Sequence, residues 1–178
     1  NTPLTSQETY SHSVFADTRQ WVKENLVDYV IPQIYWTKDN PAAPYEEIAT
    51  WWNDVVKGTN VNLYVGHGVF QLYESEEEAW TTTNPIKEQI AFNKTLDQIK
   101  GSAFFRFSYL VPEKPYFTGP GKEHLMAHSK DFKETYKNIA VLPKSKSLPL
   151  GKVTAPKGVN LSDSTISFSD GNELYGEE

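Results

Sequence analysis

The sequence predicts an α/β fold, a portion of an α/β barrel or doubly wound parallel sheet, and three observations carry that prediction. Three apolar segments read as strands: Tyr29-Val-Ile-Pro-Gln-Ile-Tyr-Trp36, Val61-Asn-Leu-Tyr-Val-Gly-His-Gly68 and Gly101-Ser-Ala-Phe-Phe-Arg-Phe-Ser-Tyr-Leu110. Each gap between them holds an amphipathic helical period, as crossovers between parallel strands require. Each strand also ends in polar or aromatic side chains, and strand C-terminal ends are where such folds build their sites.

The helices follow in order. Asp17 caps the first, with Gln20 in capping-box position and Trp21, Val22 and Leu26 on its buried side. A second spans about Pro44 to Lys57, presents Tyr45, Ile48, Trp52 and Val55 on one face, and stops at Gly58. Asn84-Pro85 is a cap followed by an N1 proline, opening a third helix with Ile86, Ile90 and Leu96 inward. A fourth runs from about Gly121 to Asn138 on an apolar stripe of Leu125, Phe132 and Tyr136. Trp21, Trp51, Trp52, Phe92 and Phe132 are read as core.

Residues 143–156 are rich in Pro, Lys and Ser without helical period, and are read as a linker. From 157 to 178 the text turns to short alternating pieces, Gly158-Val-Asn-Leu161 and Thr165-Ile-Ser-Phe-Ser169, then the turn Ser169-Asp-Gly-Asn172. That is the start of a β-rich, immunoglobulin- or fibronectin-like sandwich, far short of the roughly 100 residues such a module takes.

The 178 residues, 38% hydrophobic and 13% aromatic, suffice for one core and favour aromatic-lined clefts. A net charge of −6 with scattered lysines argues against a nucleic-acid groove. No apolar run is long enough to span a membrane. The absence of cysteine excludes disulfides, zinc-thiolate sites and Cys nucleophiles. No other His or carboxylate stands at metal-ligand spacing from His67, so neither metal nor cofactor is expected. The chain opens at Asn1, which reads as an internal or processed piece.

Asp28-Tyr-Val-Ile-Pro-Gln-Ile-Tyr-Trp36, Trp51-Trp52, Leu63-Tyr-Val-Gly-His-Gly68, Gln89 to Asn93 and Lys100-Gly-Ser-Ala-Phe-Phe105 together resemble the C-terminal part of the glycosyl hydrolase-like 10 family. The resemblance covers about Tyr10 to Ala140. It implies that residues 1–142 form the last three βα units of a (β/α)8 TIM barrel, with the first five strands upstream. It further implies an exported bacterial glycoside hydrolase, extracellular or cell-envelope associated, acting on glycan, with denuded peptidoglycan strands as the substrate type. A barrel cut in this way exposes an edge through which copies would self-associate.

Glycoside hydrolysis ordinarily needs two carboxylates about 5 to 9.5 Å apart. None of the three strand ends carries one, so the catalytic pair is expected outside this chain and the fragment is expected to be inactive alone. Glu74, Glu76, Glu77 and Glu78 follow the second strand as a solvated run, from which one member could reach a cleft. The polar groups present suit substrate binding. Gln33 is an amide in an apolar strand, able to bond sugar hydroxyls or to sit satisfied in the core. Tyr35 and Trp36 stand at the strand exit, one as a platform for a pyranose and the other as core. His67, between two glycines, either meets substrate or is structural. Arg106 either orients a catalytic acid from the missing part or forms a structural ion pair. Phe70, Tyr73, Trp80, Tyr116 and Phe117 are available to lengthen the cleft. The rival readings are a non-catalytic carbohydrate-binding barrel and a flavodoxin-like domain, which would want a Gly-rich or Ser/Thr-rich phosphate loop after a strand that the sequence does not show.

Overall fold

A computed structural model describes residues 15–138, 140, 143, 157–162 and 165–169. The chain divides into two compact units, Asn1–Ser147 and Leu148–Glu178. The first unit is mixed α/β. Its elements run α1 (Thr18–Lys23), β1 (Tyr29–Val30), α2 (Tyr45–Val56), β2 (Asn62–Gly68), α3 (Gln71–Glu74), α4 (Glu78–Thr82), α5 (Pro85–Asn93), β3 (Ile99–Phe105), a 3₁₀ turn (Phe107–Leu110) and α6 (Gly119–Thr135). The strands form one parallel sheet in the order β1-β2-β3.

The expected caps explain the helix starts. The Asp17 side chain accepts the Gln20 N–H at 2.9 Å, and the Asn84 side chain accepts the Lys87 N–H at 3.2 Å with Pro85 at the first helical position. Gly58, at φ +80°, follows the end of α2 in a conformation that favours glycine. The segment after β2 that carries the acidic run folds into the two short helices α3 and α4.

The first strand is shorter than its apolar run. Tyr29 and Val30 pair with Asn62 and Leu63, and the ladder then lapses at Pro32, which lacks the N–H that continued pairing needs. Pairing resumes as a single bridge between Gln33 and Gly66: the Gly66 N–H donates to the Pro32 carbonyl at 2.9 Å, and the Ile34 N–H donates to the Gly66 carbonyl at 3.0 Å. The third strand starts two residues before its expected place and ends at Phe105. Arg106, expected inside that strand, therefore lies past its end, after a cis Phe105–Arg106 peptide bond.

One face of the sheet is covered by helices. Leu63 is buried with Val22, Val56 and Val61, and Val65 with Ile34, Tyr45 and Ile48. Beyond the strand ends, Val69, Leu72, Trp80, Ile86, Tyr109, Phe117, Leu125 and Phe132 form a third cluster. Trp21, expected in the core, is instead exposed. In the second unit, Lys157–Ser162 (β4) pairs antiparallel with Thr165–Ser169 (β5). The expected linker lies outside the described residues except for Pro143, as does the turn beyond Ser169.

Close packing of α3 on α6 depends on Gly121, where a Cβ would stand 2.6 Å from the Tyr73 carbonyl oxygen. Gly121→Ala should therefore lower stability by about 1–3 kcal/mol, despite alanine's roughly 1 kcal/mol better helix propensity. A denaturant midpoint at or above that of the parent chain would contradict this packing.

Candidate functional site

Strand alternation divides the predicted residues between two faces. Ile34, Leu63, Val65 and His67 turn toward the helices and are buried. Gln33, Tyr35, Gly66, Gly68 and Phe105 belong to the other face, where Tyr29, Ile31, Gln33 and Phe105 are exposed. A Cβ at Gly68 would stand 3.0 Å from the Tyr35 and Phe70 rings, so the glycine lets both rings lie close against the end of β2.

His67 is fully buried between Tyr45 and Phe104, with ring centroids 6.1 and 5.5 Å away. The Gln89 side-chain amide donates to the Trp36 carbonyl at 2.9 Å, which leaves its oxygen to accept from His67 Nδ1 at 2.8 Å. His67 Nε2 then accepts from the Ser102 hydroxyl at 3.0 Å. A neutral imidazole satisfies this network, and burial holds the His67 pKa down to about 4 against the opposing pull of the Gln89 bond. His67 is thus turned away from Gln33 and from solvent, and the structure does not bring it to the face that carries Gln33 and Tyr35. Trp36 is also on the helix side, partly buried against Ile34, Tyr45 and Val65, while Tyr35 takes the outward position. Of the two aromatics at the strand exit, Trp36 thus packs against the core and Tyr35 is the one that stands on the outward face.

At the C-terminal ends of β2 and β3 the aromatic residues are continuous. Tyr35 stacks on Phe105 at 6.1 Å, Phe105 meets Phe70 at 6.1 Å, and Tyr109 lies 6.4 Å from Phe70 and 6.2 Å from Tyr73. An open cleft of about 410 Å³ follows, lined by Tyr73, Arg106, Phe107, Tyr109, Tyr116 and Phe117, with Ser108 between them. The exposed Arg106 places its guanidinium 5.7 Å from the Tyr109 ring centroid. The Tyr109 hydroxyl donates to the Glu74 carboxylate. Burial, then this carboxylate, raises the Tyr109 pKa. Glu74, exposed like Glu76, Glu77 and Glu78, is the member of the acidic run that bonds a residue of the cleft wall. Of the aromatics available to lengthen the cleft, Tyr73, Tyr116 and Phe117 line it, and Trp80 is buried core. The structure thus brings Tyr35, Phe105, Tyr109, Arg106 and Glu74 to one end of the sheet, with Gln33 one alternation below Tyr35.

Among the described residues no cluster of three His, Cys, Asp or Glu side chains forms a metal site, and no helix is long and apolar enough to cross a membrane.

The first unit is thus a mixed α/β unit with a three-stranded parallel sheet, as part of an α/β barrel would have, and an aromatic cleft at its strand ends. Residues 2–82 match the family model described as Glycosyl hydrolase-like 10. The chain is 41% identical over 101 residues to the glycosyl hydrolase DigH of Escherichia coli O6:H1, a match covering 54% of this chain and 23% of that protein. It is 37% identical over 92 residues to the glycosyl hydrolase YngK of Bacillus subtilis, covering 52% of this chain and 18% of that protein. The chain therefore spans about a fifth of the length of the curated relatives it matches. These matches support the glycosyl hydrolase-like 10 family, as the strand and tryptophan motifs led us to expect.

The buried His67 gives a pH test. Its pKa is about 4 in the fold and about 6.5 when unfolded, so the unfolded chain binds the extra proton between those values and stability falls as pH drops through that window. This site accounts for a loss on the order of 2–3 kcal/mol. His67→Asn should be less stable than the parent at pH 7, with the gap narrowing toward pH 4 in urea denaturation. A pH-independent gap would show that His67 is not held neutral.

Proposed function

We propose that this chain is the C-terminal portion of a (β/α)8 glycoside hydrolase acting on glycan, with peptide-free peptidoglycan strands as substrate. The observation that carries the reading is the continuous aromatic wall from Tyr35 to Tyr116, ending in a charged cleft at the C-terminal ends of parallel strands. Aromatic rings flank pyranose faces, and Gln33 and Arg106 supply amide and guanidinium donors for hydroxyl and acidic groups. The names of the two relatives support the same chemistry at the general level.

The remaining assignments follow from this reading. Residues 1–142 are the last three βα units, 143–156 the linker and 157–178 the first strands of a β-sandwich. Completion of the barrel would cover the sheet face on which Tyr29, Ile31 and Phe105 stand 57%, 40% and 51% exposed. Without it, that face and the strand edges favour self-association. The protein is exported, to the cell envelope or beyond. Glu74 is the one carboxylate we assign to the cleft, which leaves the catalytic pair incomplete here and keeps a second reading in view, a barrel that binds glycan without cleaving it.

The 178-residue chain alone should release no products from peptide-free peptidoglycan glycan, while the full-length protein should cleave it. Products from the short chain would overturn the placement of the acid and base. An intact but inactive full-length protein that still binds would favour the binding barrel. In that protein Tyr35→Ala should weaken oligosaccharide binding by roughly 0.5–1.5 kcal/mol, about 2- to 12-fold, by calorimetry. Unchanged affinity would remove Tyr35 from the cleft.

A further inference from the structure

We propose that Arg106 recognises a carboxylate on the bound glycan and makes the cleft selective for saccharides with a free acid group. The proposal rests on the glycan reading above and adds the substituent that is read.

Arg106 is exposed and lines the cleft, and among the described residues no carboxylate forms an ion pair with it. Glu74, the acid at this cleft, is instead held by the Tyr109 hydroxyl. Tyr109 supports the guanidinium from one side, at 5.7 Å from ring centroid to the central carbon. A guanidinium is a planar fork of five donors matched to a carboxylate's two oxygens, and it loses less hydration on pairing than an ammonium does. Beside it the buried Ser108 hydroxyl has no hydrogen-bond partner among the described residues, a donor left over at the cleft wall. The chain as a whole carries a net charge of −6, so its overall field does not draw anions in. Selection for an acid must come from short-range contact with this cation. The adjoining Tyr73, Tyr116 and Phe117 would flank the sugar ring that carries the acid.

In a peptide-free peptidoglycan strand the lactyl ether of each muramic acid residue ends in a free carboxylate. Attachment of a stem peptide converts that group to an amide, which is neutral and offers one oxygen instead of two. An arginine that demands the charged form therefore separates bare strands from peptide-bearing ones. A chitin oligosaccharide has the same backbone without the lactyl group, which makes it the matched control.

Calorimetric titration of the full-length protein with a peptide-free N-acetylglucosamine–N-acetylmuramic acid oligosaccharide, and with a chitin oligosaccharide of equal length, tests this. The parent protein should bind the acidic sugar at least about tenfold more tightly, the scale of one charge-assisted contact. R106Q should abolish that preference, bringing the affinity for the acidic sugar down to that for chitin, with an unchanged thermal melt reporting that the variant is folded. R106K, which keeps the charge without the fork, should fall between the two. Raising salt from about 0.05 to 0.5 M should narrow the preference in the parent and in R106K, with no effect in R106Q. Equal binding of both sugars by the parent, or a preference that survives in R106Q, overturns the proposal and leaves the glycan reading standing. Binding of neither sugar overturns both.

Discussion

The first unit is organised around a buried neutral histidine. His67 Nδ1 bonds to Gln89 of α5 and Nε2 to Ser102 of β3, while Gln89 reaches on to the Trp36 carbonyl at the exit of the first strand segment. Four separate stretches of chain thus meet through one imidazole. Charging it would demand a buried cation with no carboxylate among these partners, and burial accordingly keeps it neutral. The neighbouring Tyr45 hydroxyl bonds to Asn93 at 2.9 Å, which joins α2 to α5 on the same side of the sheet. Where Pro32 breaks the β1 ladder, this polar cluster replaces missing backbone bonds as the restraint on the strand exit.

Fixing that exit decides what faces outward. With the Trp36 carbonyl held by Gln89 and the Trp36 ring packed on the helix side, Tyr35 takes the opposite direction and stacks on Phe105. From there the aromatic wall passes through Phe70 to Tyr109, whose hydroxyl links Glu74 and whose ring supports Arg106. The polar groups that stabilise the sheet and those that line the cleft therefore lie on different faces, and the two sets are separable by mutation.

Much of this was legible in the sequence. The parallel α/β order followed from strand and helix periods, and the Asp17 and Asn84-Pro85 starts were visible as capping signals. The faces were harder to read. In a strand apolar on both sides, alternation gives parity but not which parity meets the helices. His67 shares parity with Leu63 and Val65, whereas Gln33 shares it with Ile31 and Tyr35, so sequence proximity to strand ends grouped residues that the sheet separates. The break at Pro32 was readable from its missing donor. The Glu74–Tyr109 contact had no local signal, because it joins residues 35 positions apart through α3 and the 3₁₀ turn.

The central claim is that glycan binds at the strand C-terminal ends, on the side away from His67. Hydrogen–deuterium exchange of the full-length protein, with and without a peptide-free peptidoglycan oligosaccharide, tests it most directly. The account predicts ligand-dependent protection confined, within this chain, to the segments 33–36, 70–75 and 105–118. Protection centred instead on the outer groove between α2 and α5, where Lys38 pairs with Glu88 at 3.1 Å, would contradict it.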